Sequence, residues 1–351
     1  MNSLQRCNAV LRRDIPDRIP VVPQTFMYAV DQAGYSIGRV QRDGRLMAEC
    51  HIQCWEKFGY DGIVVDFDDA SLAEACGAKV IFREEEPAIV DESRPLVADL
   101  DDIDHLQLPD PGTSGRLPVW LEATNELVSR LGNEVFIMGR ADQGPFTLAC
   151  MLRGTSQFMM DLLTADPGKI IRLIDWCTEA CFLFAQAQVR AGAHATSIGD
   201  ALAGPSLIAP ETYRQFAWQP EKELTRQVQK LGIPFSIHIC GDTSGIFTDM
   251  VDTGARLLEV DWKLDMATAR KLAPESTVLM GNINPSDPLV LGNPDDVRRA
   301  AAGVIRATRG RSLFLSSGCA IGRNTPPENL RALVEAASEF GTHEHLIATQ
   351  Q

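Results

Sequence analysis

Residues 195–240 read ATSIGDALAGPSLIAPETYRQFAWQPEKELTRQVQKLGIPFSIHIC and hold one complete strand–helix–strand unit. Ala195–Gly199 and Phe235–Cys240 are short apolar runs of strand length. Between them lies a helical stretch, 209–231, entered through Ala209-Pro210-Glu211, which places proline and an acid in the first turn. The same alternation recurs outward in both directions. Further strands are expected at Ile19–Pro23, Gly62–Asp66, Val135–Gly139, Arg256–Val260, Thr277–Gly281 and Ser312–Ser317. Helices are expected at 41–58, 115–131, 166–191, 243–252, 265–272, 293–308 and 325–340. Eight strands alternating with helices predict an α/β fold, a single (β/α)8 TIM-type barrel spanning 1–351 as one domain. An insertion falls near 80–115, where Lys79–Arg83 and Ala88–Val90 form a small hairpin and Asp99 through Asp104 an acidic surface segment. The rival architecture, an open doubly wound sheet, lacks its glycine-rich Gly-x-Gly-x-x-Gly turn after any strand.

Composition narrows the partners. The formal net charge is −14, from 47 acidic and 33 basic residues. That balance argues against nucleic acid and against an anionic membrane surface, both of which reward clustered Lys and Arg. The start, MNSLQRCNAVLRRD, has no apolar export segment, and no later run is long enough to span a bilayer, so the chain reads as cytoplasmic. Nine cysteines in that setting are reduced thiols, to be read one by one as core filler, ligand or nucleophile.

In such barrels reactive groups gather at the C-terminal ends of strands. Here those ends carry Asp66, Arg140, Asp200, His238 with Cys240, Glu259 with Asp261, Asn282, and Cys319. Asp66 and Asn282 fit turn-forming roles equally well. His238 and Cys240, in Ser-Ile-His-Ile-Cys-Gly-Asp, share one face of their strand and can grip one metal ion together. Cys319, in Leu-Ser-Ser-Gly-Cys-Ala-Ile, ends the last strand and can converge from across the mouth. Two thiolates and an imidazole suit zinc, and three protein ligands leave a fourth position open. A competing group, Cys50, His51 and Cys54, sits on helix 41–58, which reads as a barrel-covering helix with His51 on another face. Cys76, Cys150, Cys177 and Cys181 read as core.

Seven short motifs carry a resemblance along nearly the whole chain: Asp17-Arg18-Ile19-Pro20, Gly144-Pro145-Phe146, Ile208-Ala209-Pro210, His238-Ile239-Cys240-Gly241, Gly281-Asn282-Ile283-Asn284-Pro285, Gly318-Cys319 and Thr325-Pro326-Pro327-Glu328-Asn329. Through them the sequence resembles the uroporphyrinogen decarboxylase superfamily, and within it the zinc-dependent methyltransferase branch that includes the methylcobamide:coenzyme M methyltransferases. The resemblance implies a barrel with a zinc set at His238, Cys240 and Cys319. It implies transfer of a methyl group between a methylated corrinoid (cobalamin) and a zinc-activated thiol such as coenzyme M. The chain has no Asp-x-His-x-x-Gly cobalamin motif, so the corrinoid is expected on a partner corrinoid protein. Glu259 or Asp261 would take the fourth metal position in the absence of thiol, or orient His238. Arg140, Gln143, Asp200 and Asn282 are the substrate-binding candidates.

Other readings stay open at this level. The same zinc thiolate could attack an epoxide, the methyl group could move from a donor to cob(I)alamin, or the acceptor could be tetrahydrofolate. A decarboxylase fits less well. That branch carries an Arg-Gln-Ala-Gly-Arg type segment, whereas Tyr28-Ala29-Val30-Asp31-Gln32-Ala33-Gly34-Tyr35 keeps Gln-Ala-Gly without either arginine. A non-catalytic corrinoid-binding subunit with a structural zinc would ordinarily supply four protein ligands, and three are in sight.

Overall fold

The computed structural model describes residues 1–348. Among the described residues nine strands form: β1 (Gly62–Val65), β2 (Val80–Ile81), β3 (Ile89–Val90), β4 (Phe136–Gln143), β5 (Ala195–Gly199), β6 (Phe235–His238), β7 (Leu257–Glu259), β8 (Val278–Ile283) and β9 (Leu313–Ser317). Seven make one parallel sheet in the order β1-β4-β5-β6-β7-β8-β9. β2 and β3 pair as the antiparallel hairpin expected in the insertion.

The first expected strand, Ile19–Pro23, is instead a single parallel bridge between Val21 and Leu315. It still does the work of an eighth stave. The Val22 amide donates to the Leu315 carbonyl and the Leu315 amide to Pro20, each at 2.9 Å, while the Asp61 amide donates to Val21 at 2.7 Å. The segment therefore joins β9 to the edge of β1 and closes the ring. Pro20 and Pro23 lack the amide hydrogens a longer ladder would need, so regular pairing stops there. Below this joint the buried Asp61 carboxylate receives Arg6, Arg18 and the Val21 amide at 2.6–2.8 Å. The Asp17-Arg18-Ile19-Pro20 motif is thus a clasp at the closed end, away from the mouth.

Strand alternation sorts the side chains into two cores. Val22, Val64, Phe136, Met138, Ala195, Leu257, Val278, Met280 and Phe314 pack inside the barrel. Ile63, Ile137, Ile198, Ile237, Leu258 and Leu279 point outward into the layer shared with the helices. Continuing the inward parity up the strands gives Arg140 above Met138, His238 above Ser236, and Glu259 above Leu257. The barrel interior thus changes from apolar to ionisable as the strands reach their C-terminal ends.

Helix Gly44–Phe58 is capped by Asp43, and helix Pro167–Arg190 by Asp166 with proline in its first turn. The stretch expected as one helix over 209–231 is broken at Ala217 into Pro210–Phe216 and Trp218–Gln229. The acidic segment after the hairpin is a short 3-10 helix, Leu100–His105; its aspartates face water while Leu100 and Ile103 anchor it. Among the described residues no helix is long and apolar enough to cross a membrane.

Candidate metal centre

His238 ends β6, Cys240 follows two residues later, and Cys319 lies two residues beyond β9. Their ligand atoms all fall within 4.8 Å of one another, the one such convergent set of His, Cys, Asp and Glu among the described residues. Cys240 Sγ is 3.2 Å from His238 Nε2. The other ring nitrogen, Nδ1, lies 3.0 Å from the main-chain carbonyl of Glu259. A proton on Nδ1 donated to that carbonyl leaves the Nε2 lone pair facing the two sulfurs, the arrangement that presents a histidine to a metal. Tetrahedral zinc requires ligand atoms about 3.5 Å apart. The donor set, its spacing and the fixed tautomer all fit that ion.

The electrostatics agree. The thiol of Cys240 at its side, and then His238, pull Cys319 well below the ordinary thiol range against the opposing effect of burial. The same sulfur contact and burial push Cys240 up. Burial lowers the basicity of His238, and its contact with Cys319 more than restores it.

Glu259 and Asp261 share an inward side but turn away from the three ligand atoms. The Glu259 carboxylate receives Arg140 Nη2 at 2.7 Å and Ser236 Oγ at 2.9 Å. Asp261 receives the Gly241 amide at 2.9 Å and the Lys263 amide at 2.8 Å. Gly241 has φ +93°, a left-handed turn natural to glycine, and Asp261 holds that turn directly behind Cys240. The convergent set of ligand atoms includes neither carboxylate; the Glu259 carbonyl orients His238, and the Asp261 carboxylate shapes the Cys240 loop.

Two of the four substrate-binding candidates are displaced from the mouth by structural duties. Asp200 is fully buried and accepts the Phe146 and Thr147 amides at 3.3 and 2.7 Å, capping helix Pro145–Arg153. This explains Gly144-Pro145-Phe146: a Cβ at Gly144 would lie 2.5 Å from the Asp200 side chain. Asn282 donates to the Asp261 and Leu264 carbonyls at 3.2 and 2.7 Å and ties down the loop between them.

Arg140 and Gln143 do reach the mouth. They are three residues apart, so a regular strand would put them on opposite faces. Instead the register of β4 against β5 shifts between them, and Asp142 adopts φ +60°. This bulge turns both side chains inward. Together with the triad they line a cavity of about 500 Å3 whose roof is the insertion, at Pro87–Val90. A cavity of about 580 Å3 near Arg306 and Phe340 contains none of the candidate residues.

The acidic wall of the mouth cavity was not evident in the sequence. Asp66 forms an ion pair with Arg140 Nε at 3.3 Å, and burial pushes its carboxyl up to about 7. Asp69, open to the cavity yet enclosed by protein, is pushed up to about 6 by desolvation and by Asp68, and accepts Gln143 Nε2 at 2.7 Å. The signal was the run Asp66-Phe67-Asp68-Asp69 just past β1, a density of carboxylates a turn does not need. The competing Cys50, His51 and Cys54 are buried within helix Gly44–Phe58, and burial raises both thiols to about 12.

Comparison with known proteins matches residues 2–340 to the family described as Uroporphyrinogen decarboxylase (URO-D). The chain is similar to a methylcobamide:CoM methyltransferase, MtbA, of Methanosarcina mazei, at 30% identity over 96% of this chain and 97% of the relative. It is similar also to a methylcobamide:CoM methyltransferase, MtaA, of Methanosarcina barkeri, at 31% identity over 95% of this chain and 97% of the relative. Among solved structures, a methyltransferase from Methanosarcina mazei superposes with a TM-score of 0.88 at 27% identity, covering 97% of this chain and 99% of that one.

Proposed function

The chain belongs to the uroporphyrinogen decarboxylase (URO-D) family, and from that premise we propose that it is a methyltransferase moving a methyl group from a methylated corrinoid to a thiol. The observation that carries this reading is the convergence of His238, Cys240 and Cys319 in the wall of an open cavity at the barrel mouth. A zinc ion held by these three residues would keep a position for a substrate thiol, which a closed structural site with four protein ligands would not.

A zinc ion held by these residues would supply the charge that keeps a coordinating thiol deprotonated at neutral pH. The chain contributes the rest. Glu259, through its carbonyl, fixes the His238 tautomer; Asp261 and Gly241 fix the loop that carries Cys240. The Arg140–Glu259 pair forms a rigid polar floor beneath the site, and the hairpin roof limits water around the sulfur. In the transfer the sulfur's electron pair forms a C–S bond as the Co–C bond breaks, leaving that bond's electrons on cobalt. The thiol proton is lost to solvent.

The corrinoid would arrive on a separate protein. This is in keeping with the similarity along nearly the full length of the two corrinoid-acting relatives and with the absence of an Asp-x-His-x-x-Gly motif. A cytoplasmic location is part of the same proposal.

The test is direct. Purified, zinc-loaded protein is given methylcobalamin and a panel of small thiols, and the methylcobalamin spectrum and the thioether product are followed. Loss of the methylcobalamin band with matching thioether supports the reading. No demethylation with any thiol by a protein carrying one zinc per chain would overturn it.

A further inference from the structure

We infer that Gln24 and Arg140 form a subsite for the tail of the acceptor thiol and select a tail that carries an oxygen acceptor; this rests on the thiol-methylation reading above. Three buried donors on the cavity wall have no hydrogen-bond partner among the described residues: Gln24 Nε2, Arg140 Nε and Arg140 Nη1. Gln24 is 1% exposed and Arg140 3%, so bulk water does not answer them. Native interiors rarely leave such groups unpaired, because each has given up its hydration without return.

The backbone of Gln24 is committed to structure, and its side-chain nitrogen is not. Its amide donates to Ser317 Oγ at 3.4 Å, and its carbonyl accepts the Ile321 amide at 3.0 Å. These bonds seat Gln24 between the end of β9 and the loop that carries Cys319. Arg140 uses Nη2 on Glu259 at 2.7 Å, while Nε stands 3.3 Å from Asp66 without a hydrogen bond. Its charge is felt at His238, so the guanidinium lies within electrostatic reach of the triad.

Donors call for acceptors. A carboxylate-type anion or an amide carbonyl can receive Nε2 and Nη1 together, whereas an alkyl tail leaves both unanswered and an ammonium tail brings only more donors. The wall carboxylates already have partners: Asp66 pairs with Arg140, Asp68 with Arg116, and Asp69 accepts Gln143. The unmet demand of the wall is therefore for an acceptor. The cavity, about 500 Å3 under the hairpin roof, has the size of a small-molecule site and holds the triad in the same wall. A thiol with its sulfur at His238, Cys240 and Cys319 lays its tail against this wall. A corrinoid borne by a partner protein is too bulky to fill the same space.

Three thiols on one HS–CH2–CH2 frame test the subsite: butane-1-thiol without an acceptor, 3-mercaptopropionamide with a neutral one, and 3-mercaptopropionate with an anionic one. With zinc-loaded protein and methylcobalamin, kcat/KM should favour both acceptor-bearing thiols over butane-1-thiol by about tenfold or more. Gln24→Met keeps the side-chain length and removes the donor; at equal zinc content, the preference should contract severalfold. Gln24→Glu puts an acceptor where the donor was and should contract it further for the carboxylate. Intrinsic thiol reactivity is the same with every protein, so the change in ratio reports the side chain alone. The order of the two acceptor-bearing thiols identifies the guest as anionic or neutral, and either order supports the donor pair. Calorimetric binding of the methylated products, 3-(methylthio)propionamide and butyl methyl sulfide, reads the same preference without turnover. Equal or better use of butane-1-thiol by the wild type, or a preference unchanged in both Gln24 variants, would overturn the inference and leave ordered water as the partner of these donors. If no thiol is methylated, the methyltransferase reading fails, while the calorimetric comparison of wild type with Gln24→Met still decides the subsite.

Discussion

Arg140 Nη2 donates to Glu259 Oε2 at 2.7 Å inside the barrel, and the two residues are 3% and 1% exposed. One end of Glu259 anchors this ion pair while its carbonyl, 3.0 Å from His238 Nδ1, orients the proposed ligand. Glu259→Ala leaves the buried guanidinium with the more distant Asp66 alone, and breaking such a pair costs up to about 3–5 kcal/mol. A large fall in the denaturant midpoint is expected. Glu259→Gln keeps the backbone carbonyl and a polar partner, so it should fold and retain zinc. Zinc lost in a folded Glu259→Gln protein, measured by elemental analysis, would assign the carboxylate itself to the metal.

The triad makes a sharp prediction about metal stoichiometry. Cys240→Ala, Cys319→Ala and His238→Ala should each reduce bound zinc to well under half of the wild-type content, because two ligands hold the ion far less firmly than three. Cys50→Ala and Cys54→Ala should leave zinc content unchanged, since both thiols are sealed in the outer core. Elemental analysis of dialysed proteins reads both outcomes, and a zinc content that follows Cys50 or Cys54 would move the site.

Much of this arrangement was legible in the sequence, for identifiable reasons. Strand parity and the barrel rule carried His238, Cys240 and Cys319 to one rim, since both are consequences of backbone geometry. Asp200 and Asn282, at strand ends by the same rule, hold neighbouring backbone groups instead of lining the mouth cavity. A polar residue at a strand end can serve the cavity or the neighbouring loop, and the choice depends on which backbone amides or carbonyls lie nearby. Gln143 and Arg140 face the same space only through the bulge at Asp142, which local sequence does not announce. The acidic wall depends on a hairpin more than 15 residues downstream of Asp69 folding back over the mouth, a long-range contact. Ile19–Pro23, expected as a strand, forms a single bridge, because its two prolines withhold the amide hydrogens that a longer ladder needs.

His51 predicts how stability follows pH. It is 1% exposed, and burial lowers its basicity to about 4. The unfolded chain therefore takes up this proton at higher pH than the folded one. The contribution is fully present above about pH 6.5 and is lost as pH falls toward 4, at most about 3 kcal/mol for a shift of this size. Other groups titrate over the same window, so the measurement is a difference. Urea midpoints of His51→Gln and wild type should converge as pH falls from 7 to 4. A constant gap between the two curves would show that His51 does not titrate with unfolding.

The contact between Gly144 and Asp200 gives a last test, far from any metal. An added Cβ at residue 144 would meet the Asp200 side chain at 2.5 Å, too close for either to stay in place. Asp200 has little room to move, because its oxygens hold the Phe146 and Thr147 amides at the start of helix Pro145–Arg153. Gly144→Ala should therefore lose the cap as well as suffer the clash, a penalty of about 1–3 kcal/mol. Asp200→Asn retains an acceptor oxygen and should be milder, and Asp200→Ala should approach the Gly144→Ala value. Combining Gly144→Ala with Asp200→Ala should then cost much less than the sum of the two, since the smaller side chain removes the clash. Strict additivity in thermal or urea denaturation would mean that the two residues do not act through this contact, and would return Asp200 to the list of residues free to meet substrate.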